Sequence, residues 1–258
     1  MKLNIIYNKT ISDYKKTLNY IEELLLERGI EFQSFSLDSM QLFGELSLVI
    51  GGDGTLLKAT KYYSSFDIPV LGINIGRLGF LSQGVNILDI IESIFENRYS
   101  VEERLMLVSG DKVALNDFVI KGCNASRTSK FYLEINGECV CDYIADGLII
   151  STPTGSTAYG LSAGGPVVYP TMDAVVVVPI CPHTLNARPL VVPASEIITV
   201  KTGENMLSVS TDGYEAETRV DKITIKTSST KAKLAFLKSG GFYTVLRDKL
   251  HWGISEAR

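Results

Sequence analysis

Basic residues are not in excess in this sequence. The 258-residue chain carries 25 Lys and Arg against 29 Asp and Glu, a net charge of −4. On that balance neither nucleic acid nor an anionic membrane surface is expected as a partner, although a local basic pocket is compatible with it. Long apolar runs are missing too. The longest, Ala174 to Cys181, falls far short of the roughly 20 residues of a membrane-spanning helix. The opening "MKLNIIYNKT" lacks an apolar signal core followed by a small-residue cleavage site, and reads as a first β-strand. Cysteine is scarce. Cys123, Cys139, Cys141 and Cys181 fit neither zinc-ribbon spacing nor a disulfide-dense secreted domain. They are expected as buried free thiols, with Cys139 and Cys141 on one face of a strand. The cytoplasm is the expected compartment. The two histidines, His183 and His251, have no ligand-spaced partners, which argues against a histidine-based metal centre. His183 is expected as a turn or core residue.

What is present is an ordinary globular composition, 45% hydrophobic and 21% charged, long enough for one large or two small domains. The first hundred residues alternate strand and helix patterns. "KLNIIY" reads as a strand. Ser12 is placed to cap a helix whose Ile11, Tyr14, Leu18, Ile21 and Leu25 recur at helical spacing, with Gly29 placed to end it. "IEFQSFSL", "LSLVI" and "IPVLGIN" read as further strands, and a helix is expected around Ile87 to Asn97. Such alternation implies a largely parallel sheet covered by helices. From about Val101 the pattern changes to short β-rich runs, "RLMLVSGDKVALNDFVIKG" through "KLAFLKS", with a hairpin signal at Asn136-Gly137. A short helix is expected after Tyr159. The reading is an α/β domain over 1–100, an all-β domain over 101–240, and a helical tail over 241–258 that returns to the first domain.

The stretch "LSLVIGGDGTLLKATKYY", Leu46 to Tyr63, poses the chemical question. A strand, a glycine turn and a helix form the usual setting for gripping phosphate, yet Asp53 sits inside the turn, where a carboxylate repels phosphate. The turn lacks the Lys-Ser/Thr of a P-loop. Neither "GGDGT" nor "GINIGRLGF" supplies GxGxxG, which argues against a dehydrogenase of the usual fold. Asp53 could bind a metal that bridges phosphates, accept hydrogen bonds from a sugar hydroxyl, or take that hydroxyl's proton. All three belong to phosphoryl transfer onto an alcohol. An aspartate merely capping the helix is an equally good reading of the turn alone.

Two further segments bear on the choice. "YIADGLIISTPTGSTAYGLSAGGPVVYP", Tyr143 to Pro170, leads a strand into a turn crowded with hydroxyls and free N–H groups, suited to wrapping a sugar or phosphate. Ser156 there is a poor hydrolase nucleophile, since "TGSTA" is not GxSxG and no histidine is near. Asn116-Asp117 in "ALNDFVI" interrupts a β run with two polar groups. They suit either a nucleotide contact or a polar pair in a turn.

Taken together, GGDGT, "GRLGF", Asn-Asp after "AL", "DGLIISTPTGSTAYGLSAGGPVV" and "PICPHTLNARPLVVP", in this order, resemble the NAD kinases over nearly the whole chain. GGDGT alone is shared with diacylglycerol-type lipid kinases and phosphofructokinases; the long Gly/Ser/Thr segment is more specific. The resemblance implies an α/β domain followed by a β-sandwich-like domain. It also implies transfer of a phosphoryl group from ATP, or in some members polyphosphate, to the adenosine-ribose 2′-hydroxyl of NAD, making NADP. Asp53 would face that hydroxyl, beside a donor loop of Gly51, Gly52 and Thr55, with Gly54 close to the ligand and Lys58 one turn on. Phe80 would line the adenine side, and Asn116 and Asp117 would hold the nucleotide. Asp146 would meet the nicotinamide end, and Thr157, Ala158, Tyr159 and Ser162 would wrap the dinucleotide. Arg127 matches a basic or histidine position of the family only loosely. Asp117 stands where many members have Glu, and Ile144 where many have a basic residue. A divalent cation such as Mg²⁺, held mainly by substrate phosphates, and a homo-oligomer are implied as well. Because a loose phosphoryl-transfer transition state leaves the proton on the nucleophile until late, a well-placed weak base suffices. A diacylglycerol-type lipid kinase and a non-catalytic dinucleotide-binding module are the alternatives.

Overall fold

The structure is a computed structural model that describes residues 1–74, 79–82, 86–123, 128–183, 185–203, 206–216, 218–237 and 241–251. The chain begins with β1 (Lys2–Tyr7), α1 (Tyr14–Glu27), β2 (Glu31–Ser36), β3 (Leu46–Ile50), α2 (Asp53–Ser64), β4 (Val70–Ile73), α3 (Ile87–Phe95) and β5 (Tyr99–Arg104). There follow β6 (Leu107–Ser109), β7 (Lys112–Ala114), β8 (Asp117–Gly122), β9 (Ser129–Ile135), β10 (Glu138–Ala145) and β11 (Gly147–Ser151). A 3₁₀ turn over Thr154–Thr157 leads into α4 (Tyr159–Ser162), then β12 (Ala174–Ile180), β13 (Leu190–Pro193), β14 (Ile198–Thr202) and β15 (Leu207–Thr211). The chain continues through β16 (Tyr214–Ala216), β17 (Thr218–Val220), β18 (Lys222–Thr227), β19 (Ala232–Leu237) and α5 (Phe242–Leu250). Two compact units result: Met1–Glu103 with the chain from Ala232 onward, and Arg104–Lys231.

In the first unit six strands form one sheet in the order β2-β1-β3-β4-β19-β5. The pairings β1–β2, β1–β3, β3–β4 and β4–β19 are all parallel. Every residue of β3 and β4 is buried, which is why both read as near-continuous apolar runs rather than alternating ones; the one hydroxyl, Ser47, accepts from the Asn4 side-chain amide at 3.0 Å. Gly29 ends α1 as the sequence suggests: at φ 63° it donates to the Leu26 carbonyl, while Ile30 donates to Leu25. That paired arrangement closes the helix with a left-handed residue. The start of α1 differs from expectation. Asp13, in the left-handed region, is the N-cap and makes no side-chain cap bond, so Ser12 lies one residue outside the helix and does not cap it. The run "KLAFLKS", grouped by sequence with the β-rich segment, contributes β19, which pairs with β4 in this first sheet.

The second unit is built from two mostly antiparallel sheets, β10-β9-β14-β18-β6-β7 and β13-β12-β11-β8-β15-β16, with β17 also paired to β15. Inward side chains of both sheets form one core. Phe118, Ile120, Leu148 and Val177 from one sheet belong to the same cluster as Phe131, Leu133, Val200 and Ile225 from the other. Alternate residues of β8, β11 and β12, Val119, Ile149, Val176 and Val178, make a smaller core on the opposite face, so the middle of each of these strands is apolar on both faces. The hairpin at Asn136-Gly137 forms with both residues at positive φ, 52° and 84°, the conformation that favours this pair. Cysteine placement departs from expectation. Cys123, Cys139 and Cys181 are exposed and Cys141 half-buried, all as free thiols. A register shift between Cys139 and Cys141 inserts an extra residue and breaks the two-residue alternation. Cys141 packs against the core while Cys139 stays in solvent.

Candidate functional site

The first unit carries the glycine turn at a place that the topology favours. In the order β2-β1-β3-β4, strands are added to one side of β1 and then to the other, so the winding of the sheet reverses between β1 and β3, and ligands of such sheets bind beyond the C-terminal strand ends at that point. Asn8 follows β1 there, and its side-chain amide donates to Thr55 Oγ1 at 3.1 Å, tying the end of β1 to the turn after β3. The Gly51 N–H donates to the Ile73 carbonyl at 2.9 Å. Gly52, in extended backbone at φ −82° and ψ −178°, is the N-cap of α2. A Cβ added at Gly52 or Gly54 would meet nothing within 4 Å, so the backbone is open to close approach at both.

Asp53, the first residue of α2, is held by the segment after "GRLG". Its Oδ2 accepts the Phe80 N–H at 2.9 Å, and its Oδ1 accepts the Leu81 N–H at 3.3 Å and the Ser82 hydroxyl at 3.1 Å. A Cβ on Gly79 would stand 1.9 Å from Asp53 Oδ1; glycine at 79 is what lets this segment reach the carboxylate. A carboxylate has roughly four acceptor sites. Three donors engage Asp53, two on Oδ1 and one on Oδ2, and the Lys249 ammonium stands 3.7 Å from Oδ2, too far to be a hydrogen bond, so one acceptor direction on Oδ2 is left for a hydroxyl. Its side chain is 30% exposed. Lys58, one turn on, pairs with Asp38 at 3.0 Å.

In the second unit three turns meet at one end of a sheet. Pairing puts Asp117 of β8 opposite Ser151 of β11, and Phe118 opposite Thr211 of β15. The Asn116 carbonyl accepts the Thr152 N–H at 2.8 Å. The Thr152 hydroxyl donates to Leu115 O at 2.6 Å and accepts the Gly155 N–H at 3.0 Å. Gly155 packs so closely that an added Cβ would lie 2.2 Å from the Asn116 carbonyl oxygen. Asp212 binds the same turn from the other side. Its carboxylate accepts the N–H groups of Leu115 at 3.1 Å, Asn116 at 2.7 Å and Asp117 at 3.2 Å, and its own N–H donates to Asp117 O. Asp117 is 3% exposed. Burial, and then the nearby Asp212 charge, pushes its carboxyl up to about 7.

Asn116, Asp117 and the loop of Thr157 and Ala158 are thus joined through Thr152 and Gly155. Tyr159 and Ser162, on α4, are exposed, as is Asp146 after β10, whose N–H donates to Ile180 O at 3.0 Å. Ile144 is exposed as well. Arg127 lies outside the described residues. Ser156 is buried, accepts the Val168 N–H at 3.0 Å and donates to Pro153 O; it holds the loop together. His183 is exposed, with its N–H on Ile144 O. Asn8 and Asp212 were not singled out from sequence, though the Asp-Gly pair at 212–213 is a turn signal that could have drawn attention to the latter. Among the described residues, no group of three or more His, Cys, Asp or Glu is placed to hold a metal ion.

Two family models match the chain, the ATP-NAD kinase N-terminal domain over residues 13–99 and the ATP-NAD kinase C-terminal domain over residues 115–237. An NAD kinase of Caldanaerobacter subterraneus is 38% identical, over 90% of this chain and 87% of its own length. An NAD kinase of Aquifex aeolicus is 37% identical, over 98% of this chain and 100% of its own. Among solved structures, an NAD kinase from Archaeoglobus fulgidus in complex with ATP superposes with a TM-score of 0.80 at 26% identity, covering 97% of this chain and 99% of that one. On the strength of both matched domains and these relatives, the chain belongs to the NAD kinase family.

Proposed function

We propose that the protein is an NAD kinase that transfers the terminal phosphoryl group of ATP to the 2′-hydroxyl of the adenosine ribose of NAD. The family and its relatives support the reaction. The observation that carries the assignment of residues is Asp53: a carboxylate at the ligand end of a parallel sheet, fixed by three donors and with one acceptor direction left for a hydroxyl. The hydroxyl oxygen forms the new bond to phosphorus as the bond to the ADP oxygen breaks, and the hydroxyl proton passes to Asp53. Because the transition state is loose, orientation of that hydroxyl matters more than basicity. Gly51, Gly52 and Thr55 give the donor phosphates a backbone to approach, and Gly54 lets the acceptor lie against α2. In the second unit, Asn116 and Asp117 hold the nucleotide and Asp146 meets the nicotinamide end. Thr157, Ala158, Tyr159 and Ser162 wrap the dinucleotide.

A divalent cation, Mg²⁺ in this reading, neutralises phosphate charge when bound. The described residues form no metal-holding cluster, which fits a cation carried by the substrate phosphates. The described helices include none long and apolar enough to cross a membrane; a cytoplasmic homo-oligomer with no nucleic-acid or membrane partner completes the proposal. The test is NADP formation by purified protein from NAD, ATP and Mg²⁺, with polyphosphate as a second donor and Asp53→Asn beside the wild type. Loss of turnover in the variant by about 10³-fold, with NAD still bound, supports the role of Asp53. Full turnover in Asp53→Asn overturns it.

A further inference from the structure

The far end of the chain reaches the same carboxylate. Helix α5 (Phe242–Leu250) carries Arg247 and Lys249 in its last turn. Arg247 stays near its neighbour Asp248, at 3.8 Å. Lys249 turns to the glycine loop: its Nζ lies 3.7 Å from Asp53 Oδ2 and 4.4 Å from the centroid of the Phe80 ring. Phe80 is the residue whose N–H donates to that same Oδ2. One ammonium group thus touches both the side chain assigned to the acceptor hydroxyl and the ring assigned to the adenine side.

Stability is a poor explanation for this contact. The side chains of Lys249 and Asp53 are 35% and 30% exposed, and ion pairs so open to water contribute little to folding. Orientation is a better one. Asp53 can rotate about two side-chain bonds, and a cation off Oδ2 favours the rotamer in which both oxygens meet their backbone donors. The same cation over the Phe80 face restrains the ring plane. We propose that Lys249 is a positioning residue, setting the Asp53 carboxylate and the Phe80 ring for the acceptor nucleotide. The proposal rests on the reading of Asp53 given above.

The experiment compares full-length wild type, Lys249→Met, Lys249→Arg and Asp53→Asn in steady-state NADP formation, with thermal midpoints for each. Methionine keeps the length of the stem and removes the charge. The expected result for Lys249→Met is a kcat lowered about tenfold and a KM for NAD raised severalfold. Its KM for ATP should stay within about twofold and its midpoint within about 2 °C of wild type. Lys249→Arg should recover most of the lost kcat, since a guanidinium can also pair and stack. Wild-type kinetics in Lys249→Met overturn the proposal, as does a lowered midpoint with unchanged kcat per folded molecule. A raised KM for ATP alone also overturns it, because Lys249 would then bind the donor. Loss of turnover in Asp53→Asn with none in Lys249→Met removes Lys249 only; full turnover in Asp53→Asn removes the reading beneath it.

Discussion

The Asn116 N–H donates to Asp212 Oδ1 across 2.7 Å, joining residues 96 positions apart in the chain. Asp212 lies in the left-handed region at φ 52°, followed by Gly213 at φ 77°. That conformation turns its carboxylate back onto three consecutive N–H groups, those of Leu115, Asn116 and Asp117. The turn that presents Asn116 and Asp117 is therefore shaped by a side chain on a different hairpin.

Asp212→Ala should be costly. It strips an ionised acceptor from N–H groups at a buried turn and places alanine at a positive φ, for a combined loss of about 3 kcal/mol. Asp212→Asn keeps an acceptor oxygen and a residue tolerant of that φ, so its loss should be about 1 kcal/mol or less. Urea unfolding of both variants measures the difference. NAD affinity should fall in the alanine variant even where the folded fraction is complete, because Asn116 loses the partner that sets its direction.

The Asp117 carboxyl gives stability a definite pH dependence. Its pKa is pushed up to about 7 from an ordinary value of 3.8, by burial first and the Asp212 charge second. The folded state thus holds this proton more tightly than the unfolded chain does. Where the folded state binds more protons, stability falls as pH rises. The effect begins near pH 4 and levels off above about 7. A shift of this size corresponds to on the order of 4 kcal/mol. Asp117→Asn removes the titration. The stability difference between variant and wild type, followed by denaturant titration from pH 5 to 8, should grow in the variant's favour as pH rises; a difference constant over that range would refute the buried-acid account. In Asp212→Asn the slope should be shallower, because one of the two causes is gone.

Much of this arrangement was legible in the sequence, and what was missed has common physical reasons. Strand β3 is buried on both faces, so "LSLVI" announces itself as an apolar run, and Gly29 and the Asn136-Gly137 pair mark positions where the backbone must take positive φ. Asp53 could be singled out because a carboxylate inside a glycine turn is locally incongruous. For Asp212 the sequence marks only a turn, "TDG", while its role lies in N–H groups on another strand. Lys249 is a helical lysine of a kind that usually faces solvent. The Cys139–Cys141 pair misled because one inserted residue in β10 breaks the alternation on which the inference relied. Strand β19 carries the same apolar signature as its neighbours in sequence, and nothing local says which sheet it joins.

Gly155→Ala separates packing from chemistry. The added Cβ would lie 2.2 Å from the Asn116 carbonyl oxygen and 2.5 Å from its carbon. Those are backbone atoms already hydrogen-bonded to Thr152, so they cannot swing aside as a side chain would. Relief must come from moving the 3₁₀ turn away from β8, at about 1–3 kcal/mol. The variant should show a lowered denaturation midpoint together with weaker NAD binding. Normal stability would mean that the turn is more pliant than its hydrogen bonds suggest.

Gly54→Ala should move stability and activity in opposite directions. Gly54 lies in the first turn of α2, exposed, at negative φ, and an added Cβ there meets no atom within 4 Å. Within the protein alone, alanine can only help: it reduces the freedom of the unfolded chain and favours the helix by up to about 1 kcal/mol. In a chain of this size that amounts to a rise in midpoint of about 2–4 °C. If the acceptor nucleotide lies against this turn, the same methyl group stands where the ligand must pass. NADP formation should then fall by about tenfold or more, mostly through KM for NAD. A variant that is both more stable and fully active would show that ligand does not approach α2 at Gly54. It would shift attention to Gly52, the other glycine of the turn open to solvent.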